Sequence, residues 1–244
     1  MELQWVDGAD GLAEAAAEHV VAVLARFARP VIALPTGATP RGLYERLVRR
    51  GRTGALSLGS ARFFNLDEFV GLAPSDPRCY AAFLTRHFLG PLDIPAERIR
   101  LLRGDAGDLP AECLAYDGAL EAAGGIDLAI LGLGTNGHIA FNEPGGDWKL
   151  GTHVVTLAPS TRRAQRLLFA SEAEVPRQGL TMGIATIRAA RAVLLLVMGE
   201  GKAAALGALR AGLPDPAWPV TALLDHPRLT ALVDRRLLPA ARLP

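Results

Sequence analysis

Residues 126–145 read IDLAILGLGTNGHIAFNEPG, an apolar stretch that passes directly into a glycine-rich polar one. Apart from Asp127, residues 126–133 form an apolar run, which is typical of a central strand buried on both faces of a sheet. A second apolar run, residues 192–198, predicts another strand of the same kind. Because parallel sheets are the ones covered on both faces, these two runs favour an α/β fold.

Strand and helix patterns alternate on either side of these runs. The other predicted strands are residues 30–34, 61–66, 98–102, 153–157 and 229–233, and the predicted helices are residues 11–28, 40–49, 76–89, 110–123, 160–169 and 201–211. This alternation predicts a three-layer, modified Rossmann-like α/β fold, with a mostly parallel sheet and helices on both faces. Thr39 is the expected N-cap of the second helix. With no repeat and no linker, residues 1–244 are predicted to form a single domain.

Composition and charge narrow the class of function. Half of the residues are hydrophobic, 21% are charged and the net charge is +1, which suits a soluble enzyme and gives no basic face for nucleic acid. Cys79 and Cys113 have no metal-type spacing, so we expect a reducing, cytoplasmic location. The N-terminal residues lack a signal-peptide pattern, and no apolar run reaches about 18 residues, so we expect no membrane association.

Polar clusters follow several predicted strands, at the edge of an open α/β sheet where ligands bind. In residues 36–39, TGAT, backbone N–H groups can approach an anion beside a helix N-terminus, although an ordinary strand–helix connection is an equal alternative. Lys202 opens a helix, where a cation is unfavourable unless an anion offsets the helix dipole, and a solvated lysine is again an equal alternative. Asp67 lies in the tetrapeptide NLDE, which by itself favours a turn or capping role for this aspartate. The alternative is a partly desolvated carboxylate at a strand end that acts as a base on a carbon acid.

The glycine-rich stretch holds the strongest catalytic candidates. Residues 132–137 match a dinucleotide-binding pattern formally, but Pro144 breaks the helix that should follow and the position about 20 residues further on is apolar, so we reject that interpretation. His138 and Glu143 lie close together there, with Asn136 between glycines, and a carboxylate can hold a histidine in one tautomer for acid–base work. Neither a metal nor a cofactor is expected, since no second histidine or cysteine stands at metal spacing. The set suits aldose–ketose chemistry on a phosphorylated sugar.

Six strings along the chain together resemble one family. They are LPTGATP, FNLDEFVGL, GLGTNGHIAFNEPG, THVVTL, LTMGI and a Gly-x-Gly-Lys turn, in matching order between about residues 30 and 235. The chain is similar to glucosamine-6-phosphate deaminases, hydrolytic aldose–ketose isomerases that convert glucosamine 6-phosphate and water to fructose 6-phosphate and ammonia. The combination of LDE with GHIAFNEPG carries the resemblance, since either string alone is less specific.

The resemblance implies a role for each matching residue. Asp67 matches the base that moves a proton between sugar carbons C2 and C1, His138 the residue that opens the pyranose ring, and Glu143 the carboxylate that supports it. Asn136 falls where some members have aspartate and others asparagine; an amide can orient the imidazole but cannot share its charge. The phosphate contacts of the family match Thr36, Gly37, Ala38, Thr39 and Lys202.

One position departs from the family pattern. The phosphate-binding arginine of the family aligns with Leu167. Either the local register shifts and Arg166, one place earlier, replaces that arginine, or the phosphate is held less tightly. The arginine-rich region at about residues 158–180 is predicted to form a lid over the sugar that excludes water. The hexameric, allosterically activated members carry serines and basic residues just after NEP, whereas residues 145–155 read GGDWKLGTHVV, which is more similar to the shorter, unregulated members. We therefore expect an unregulated monomer or small homo-oligomer.

Three alternatives stay open. A 6-phosphogluconolactonase would share the fold and the histidine of the glycine-rich loop, but lactone hydrolysis needs no carbon-acid base such as Asp67. A deaminase for galactosamine 6-phosphate would fit as well, because no residue is seen to recognise the C4 hydroxyl. A non-catalytic sugar-phosphate-sensing domain is disfavoured because the three acid–base positions Asp67, His138 and Glu143 are all present.

Overall fold

Two sheets organise the structure, a computed structural model that describes residues 1–238. In chain order the strands are β1 (Glu2–Val6), β2 (Val31–Leu34), β3 (Arg62–Asn65), β4 (Asp67–Phe69), β5 (Ile99–Arg100), β6 (Leu128–Gly132), β7 (His153–Thr156), β8 (Gln178–Thr181), β9 (Val193–Val197) and β10 (Leu229–Asp234). The larger sheet has seven strands in the order β1-β10-β9-β6-β2-β3-β5. All of its strand pairs are parallel.

Helices cover both faces of the larger sheet. They are α1 (Gly8–Arg26), α2 (Ala38–Arg52), α3 (Tyr80–Leu84), α4 (Leu109–Ala122), α5 (Pro159–Gln165), α6 (Ile184–Arg188) and α7 (Ala203–Ala211). Successive side chains of a strand point to opposite faces. Accordingly, Leu128 and Ile130 of β6 pack in the core with α1 and α2, whereas Ala129 and Leu131 pack in the core with α4 and α7. The predicted three-layer α/β fold with a mostly parallel sheet is confirmed.

The smaller sheet was not predicted. It pairs β4, β8 and β7 in that order, and both of its strand pairs are antiparallel. Against it packs a third core cluster, which consists of Phe69, Tyr80, Phe141, Leu157, Phe169 and Val175. This sheet matters for the site because Asp67 is the first residue of β4 and pairs with Thr181 of β8.

Several local predictions need correction. Helix α2 begins at Ala38, so Thr39 lies inside the first turn and is not its N-cap. The N-cap is Gly37, whose φ of 103° is accessible to glycine but strained for other residues. The helix predicted over residues 76–89 is α-helical only in α3 and continues as a π-helical turn, Thr85–Leu89. Strand β1 was missed. Across residues 1–238, no helix combines the length and the apolar character that a membrane span requires.

Candidate active site

A cavity of about 330 Å³ opens at the carboxyl edge of the larger sheet. Residues 36–39 after β2, Asp67 at the start of β4, His138 after β6 and Lys202 after β9 all line it. Polar residues that are far apart in the sequence therefore meet at one place, because the parallel strands all end at this edge.

One end of the cavity is suited to an anion. Residues 36–39 form the entry to α2 and the start of its first turn, where the first backbone N–H groups have no partners within the helix and carry a partial positive charge. Lys202, in the 3-10 turn Glu200–Lys202, adds its ammonium group to the lining. Burial lowers the pKa of Lys202 below its ordinary value, because a charged group loses hydration there. A bound anion would offset that cost.

Asp67 lies at the inner wall of the cavity and is 7% exposed. The Asn65 side-chain amide donates a hydrogen bond of 2.7 Å to the Asp67 carbonyl oxygen and so helps to fix the start of β4. Burial, and secondly the neighbouring Glu68, raises the pKa of the Asp67 carboxyl well above its ordinary value. A carboxylate with a raised pKa is a stronger base, which suits removal of a proton from carbon near neutral pH.

Glu68 points away from the cavity and joins β4 to α3. Its carboxylate accepts hydrogen bonds from the backbone N–H groups of Phe69 (2.8 Å), Tyr80 (2.9 Å) and Ala81 (2.7 Å). Burial raises the pKa of Glu68 to about 6 even though these hydrogen bonds favour the ionised form. Tyr80 in turn lines the cavity beside Asp67, so Glu68 helps to set the spacing between two walls of the site.

A network within the glycine-rich loop holds His138. The Asn136 side chain accepts a hydrogen bond of 3.2 Å from the His138 backbone N–H and donates one of 2.9 Å to Glu143 Oε2. Glu143 Oε2 lies 3.6 Å from His138 Nδ1. Burial alone would raise the pKa of Glu143, but the neighbouring His138 and Thr161 side chains and the hydrogen bond from the Ala158 backbone N–H outweigh burial and lower that pKa overall. Glu143 is therefore held as a carboxylate beside the imidazole.

The predicted site residues do not all reach the cavity. Thr36, Gly37, Ala38, Thr39, Asp67, His138 and Lys202 line it. Asn136 and Glu143 are absent from the lining: Asn136 hydrogen-bonds the His138 backbone N–H and Glu143, and Glu143 faces the His138 ring. Arg166 is absent from the lining: it is exposed on the 3-10 turn Arg166–Leu168, because the helical turn that places Ala164 and Gln165 on the cavity directs Arg166 to solvent.

Other lining residues were missed from the sequence. Tyr80, Ser160 and Thr161 all line the cavity, and Thr161 also contacts His138. Tyr80 lies in the helix predicted over residues 76–89, and Thr161 lies in the arginine-rich segment predicted to form a lid. Pro159 could have indicated the position of Ser160 and Thr161, because proline is common in the first turn of a helix. A helix that begins there, after β7, places these two residues near the end of a strand.

A buried carboxylate and a loop-held histidine on one cavity at the carboxyl edge of a parallel sheet define an acid–base enzyme. The family model described as glucosamine-6-phosphate isomerases/6-phosphogluconolactonase matches residues 7–232. A glucosamine-6-phosphate deaminase of Oceanobacillus iheyensis is 39% identical over 238 residues, 98% of this chain and 95% of that protein. One of Porphyromonas gingivalis is 43% identical over 223 residues, 89% of this chain and 85% of that protein. The chain belongs to the glucosamine-6-phosphate deaminase family, which confirms the resemblance seen in the sequence.

Solved structures agree with this assignment. A structure described as a monomeric glucosamine-6-phosphate deaminase superposes with a TM-score of 0.95 at 38% identity, covering 97% of this chain and 98% of that one. A 6-phosphogluconolactonase from Trypanosoma cruzi superposes with a TM-score of 0.78 at 21% identity, covering 97% and 95% of the two chains. The second similarity shows a shared fold only.

Proposed function

We propose that this chain is an enzyme that converts glucosamine 6-phosphate and water to fructose 6-phosphate and ammonia. The observation that carries the proposal is the position of Asp67, a desolvated carboxylate that shares a cavity with His138. Isomerisation of an amino sugar requires a base for a carbon-bound proton, and a raised pKa supplies the needed basicity. The substrate named for the relatives at 39–43% identity fits this chemistry.

In the proposed reaction the substrate first binds through its phosphate. Backbone N–H groups of residues 36–39 and the N-terminus of α2 hold the phosphate oxygens, and the Lys202 ammonium neutralises part of their charge. His138 then opens the pyranose ring by taking the proton of the C1 hydroxyl and delivering a proton to the ring oxygen. Glu143 and Asn136 orient the imidazole for this transfer.

Asp67 acts on the open-chain aldehyde. Its carboxylate removes the proton from C2, which gives an enol-type intermediate, and returns a proton to C1. The product carries an imine at C2, which adds water and loses ammonia to leave the ketone of fructose 6-phosphate. General acid–base steps of this sort are each worth roughly 10²–10⁴ in rate.

One assay tests the proposal. Purified protein is supplied with glucosamine 6-phosphate, and ammonia and fructose 6-phosphate are measured, with galactosamine 6-phosphate and 6-phosphogluconolactone in parallel reactions. We expect both products from glucosamine 6-phosphate and a loss of at least ~10²-fold in kcat for Asp67→Asn, with binding nearly unchanged. Asp10→Asn is the matched control, because the Asp10 side chain is 97% exposed and Asp10 does not line the cavity. A fully active Asp67→Asn enzyme, or turnover of the lactone alone, would refute the proposal.

Residues 158–180 are proposed to close over the bound sugar. The helix α5 supplies Ala164 and Gln165 to the lining, so this segment already forms one wall of the cavity. Arg166 lies on the next turn and would approach the phosphate only if the segment moved inward. We further propose that the protein acts as a monomer or a small homo-oligomer, which is supported by the relative described as monomeric.

A further inference from the structure

The chain passes from the larger sheet to the smaller one across a single residue, Leu66. Strand β3 of the larger sheet ends at Asn65, and β4 of the smaller sheet begins at Asp67. The Leu66 backbone N–H donates to the Leu34 carbonyl oxygen of β2 at 3.2 Å, and the Leu66 carbonyl oxygen accepts from the Met182 N–H, directly after β8, at 2.7 Å. Asp67, the proposed base, therefore lies where the chain leaves one sheet for the other.

The Asn65 side chain binds the backbone of two separate segments at this crossing. It is completely buried, with 0% exposure. Its Nδ2 donates to the Asp67 carbonyl oxygen at 2.7 Å, and its Oδ1 accepts from the backbone N–H of Leu102, beyond β5, at 2.8 Å. The Tyr116 hydroxyl of α4 donates to the Asn65 carbonyl oxygen. One residue thus ties the start of β4 to the segment after β5 and to α4.

The two partners of the Asn65 side chain fix the orientation of its amide. A backbone N–H only donates, so the Leu102 N–H must face Oδ1. A carbonyl oxygen only accepts, so that of Asp67 must face Nδ2. An ionised carboxylate would present a second acceptor to this carbonyl, and an apolar side chain would leave both backbone groups without their partner. Asparagine supplies the donor and the acceptor in one short side chain.

Asn65 contacts the proposed base and not the cavity. Asn65 is absent from the lining, whereas Asp67 lines the cavity and is 7% exposed. The hydrogen bond from Asn65 holds the Asp67 main chain, so a shift at the start of β4 would carry the Asp67 carboxyl with it. The candidate phosphate contacts, residues 36–39 and Lys202, follow the other strands β2 and β9.

We propose that Asn65 is a positioning residue that fixes the start of β4 and thereby holds the Asp67 carboxylate where it reaches the C2 proton of the substrate. The reach to C2 rests on the proposed function, whereas the placement of Asp67 by Asn65 does not. Loss of the Asn65 amide should therefore affect the proton transfer and leave phosphate binding intact.

Two substitutions remove the amide in different ways. Asn65→Leu keeps a side chain of similar size with no donor or acceptor. Asn65→Ala leaves room for water to hydrate the two backbone groups, so it serves as the test where Asn65→Leu does not fold. We expect kcat to fall roughly 10- to 100-fold in each variant, because a shift of about 1 Å in a reacting group costs up to about 10². KM should stay nearly unchanged, since the phosphate contacts remain.

Asp127→Asn is the matched control for a buried polar side chain that bonds the backbone of the larger sheet. Asp127 is 5% exposed, accepts from the Val31 backbone N–H at 2.8 Å and does not line the cavity. Midpoints of thermal unfolding identify a temperature at which all the variants are folded during the assay. We expect Asp127→Asn to keep the kcat of the unsubstituted enzyme. Asn65 variants with the same kcat as Asp127→Asn would overturn the proposal.

A second measurement needs no substrate. Carboxyl ¹³C NMR of aspartate-labelled protein follows the titration of Asp67, whose signal is identified by its loss in Asp67→Asn. Burial raises the pKa of Asp67, so release of the start of β4 toward the cavity should hydrate the carboxylate and lower that pKa. The neighbouring Glu68 is present in every variant, so its charge does not produce the difference.

The NMR result separates this proposal from the proposed function. We expect a lower pKa of Asp67 in Asn65→Ala than in the unsubstituted protein and in Asp127→Asn. Equal pKa values of Asp67 in the three proteins would overturn the placement of Asp67 by Asn65. If the unsubstituted protein released no ammonia, the proposed function would fail while the titration of Asp67 still decided the role of Asn65.

Discussion

His138 stays in place partly because the residue beneath it has no side chain. A Cβ atom added at Gly134 would lie 2.4 Å from His138 Cδ2 and 2.5 Å from Nε2, far inside van der Waals contact. The requirement for glycine at this position is therefore one of space, since Gly134 does not have a positive φ. The Gly-x-Gly pattern that formally suggested a dinucleotide site has a different use, which is to let an imidazole lie flat against the backbone.

Gly134→Ala should displace the imidazole of His138. We expect kcat to fall by about 10², because a shift of about 1 Å in a reacting group costs this much. Gly118→Ala is the matched control, since a Cβ there would meet no atom within 4 Å and Gly118 lies in α4, outside the cavity lining. Steady-state kinetics together with the midpoint of thermal unfolding separate a displaced ring from a destabilised protein. Equal kcat values for the two alanine variants would contradict this account of Gly134.

Substitution of Lys202 tests whether its ammonium group contributes to phosphate binding. We expect Lys202→Met to raise KM roughly 10- to 100-fold with a smaller change in kcat, because a hydrogen bond between charged groups is lost in both the ground state and the transition state. The chain has a ready control in its other lysine, Lys149, which is exposed outside the cavity. Lys149→Met should leave KM unchanged. A KM in Lys202→Met equal to that in Lys149→Met would show that Lys202 holds no phosphate.

At the scale of elements, Glu68 makes the junction of β4 and α3 sensitive to pH. The pKa of Glu68 is raised from 4.5 to about 6 by burial, so the folded protein holds this proton more tightly than the unfolded chain does. The stabilisation from protonated Glu68 is therefore complete below pH 4.5 and is lost as pH rises through about 6. A shift of this size corresponds to about 2 kcal/mol.

Glu68→Gln removes this titration. We expect the free energy of unfolding of the unsubstituted protein, relative to that of the variant, to decline by about 2 kcal/mol between pH 4 and pH 7. Urea unfolding at several pH values across this range measures the difference. Only the change of this free-energy difference with pH tests the assignment. Its absolute size does not, because glutamine also loses an acceptor for one of the backbone N–H groups of Phe69, Tyr80 and Ala81. Parallel pH profiles for the two proteins would contradict the assigned cause.

The lid is the second element-scale expectation. Between β7 and β8 the chain forms only α5, of seven residues, and two short 3-10 turns, Arg166–Leu168 and Glu172–Glu174. Helices this short are marginal without tertiary contacts, so a bound sugar phosphate should stabilise them. We expect slower amide hydrogen exchange over residues 158–180 when a substrate analogue is bound, and no change in the long helix α1. Equal protection of residues 158–180 with and without the analogue would argue against closure.

For the whole molecule, the parts that could be predicted are those encoded locally. The apolar runs containing β6 and β9 identify the centre of the sheet because both faces of these strands are buried. The location of Asp67 and His138 on one cavity also follows from the sequence, since both come directly after predicted strands of a parallel sheet.

The missed parts depend on contacts between distant segments. Strand β8 is four residues long and contains a glycine, and β4 has only three residues, so neither shows a strand period. Their antiparallel pairing joins residues more than a hundred positions apart in the sequence. The contact of Thr161 with His138 likewise depends on how α5 packs, which no local pattern near residue 161 encodes.

The placement of β1 beside β10 has a consequence for how the chain acquires its structure during translation. Among the strands of residues 1–238 the ribosome produces β1 first, yet the neighbour of β1 in the larger sheet is β10, which begins at Leu229. The edge strand must therefore wait, unpaired, until almost all of the described chain has been synthesised. Its half-buried side chains, Trp5 among them, stay available to chaperones throughout that interval. Completion of the larger sheet thus requires the first and the last of the described strands to meet.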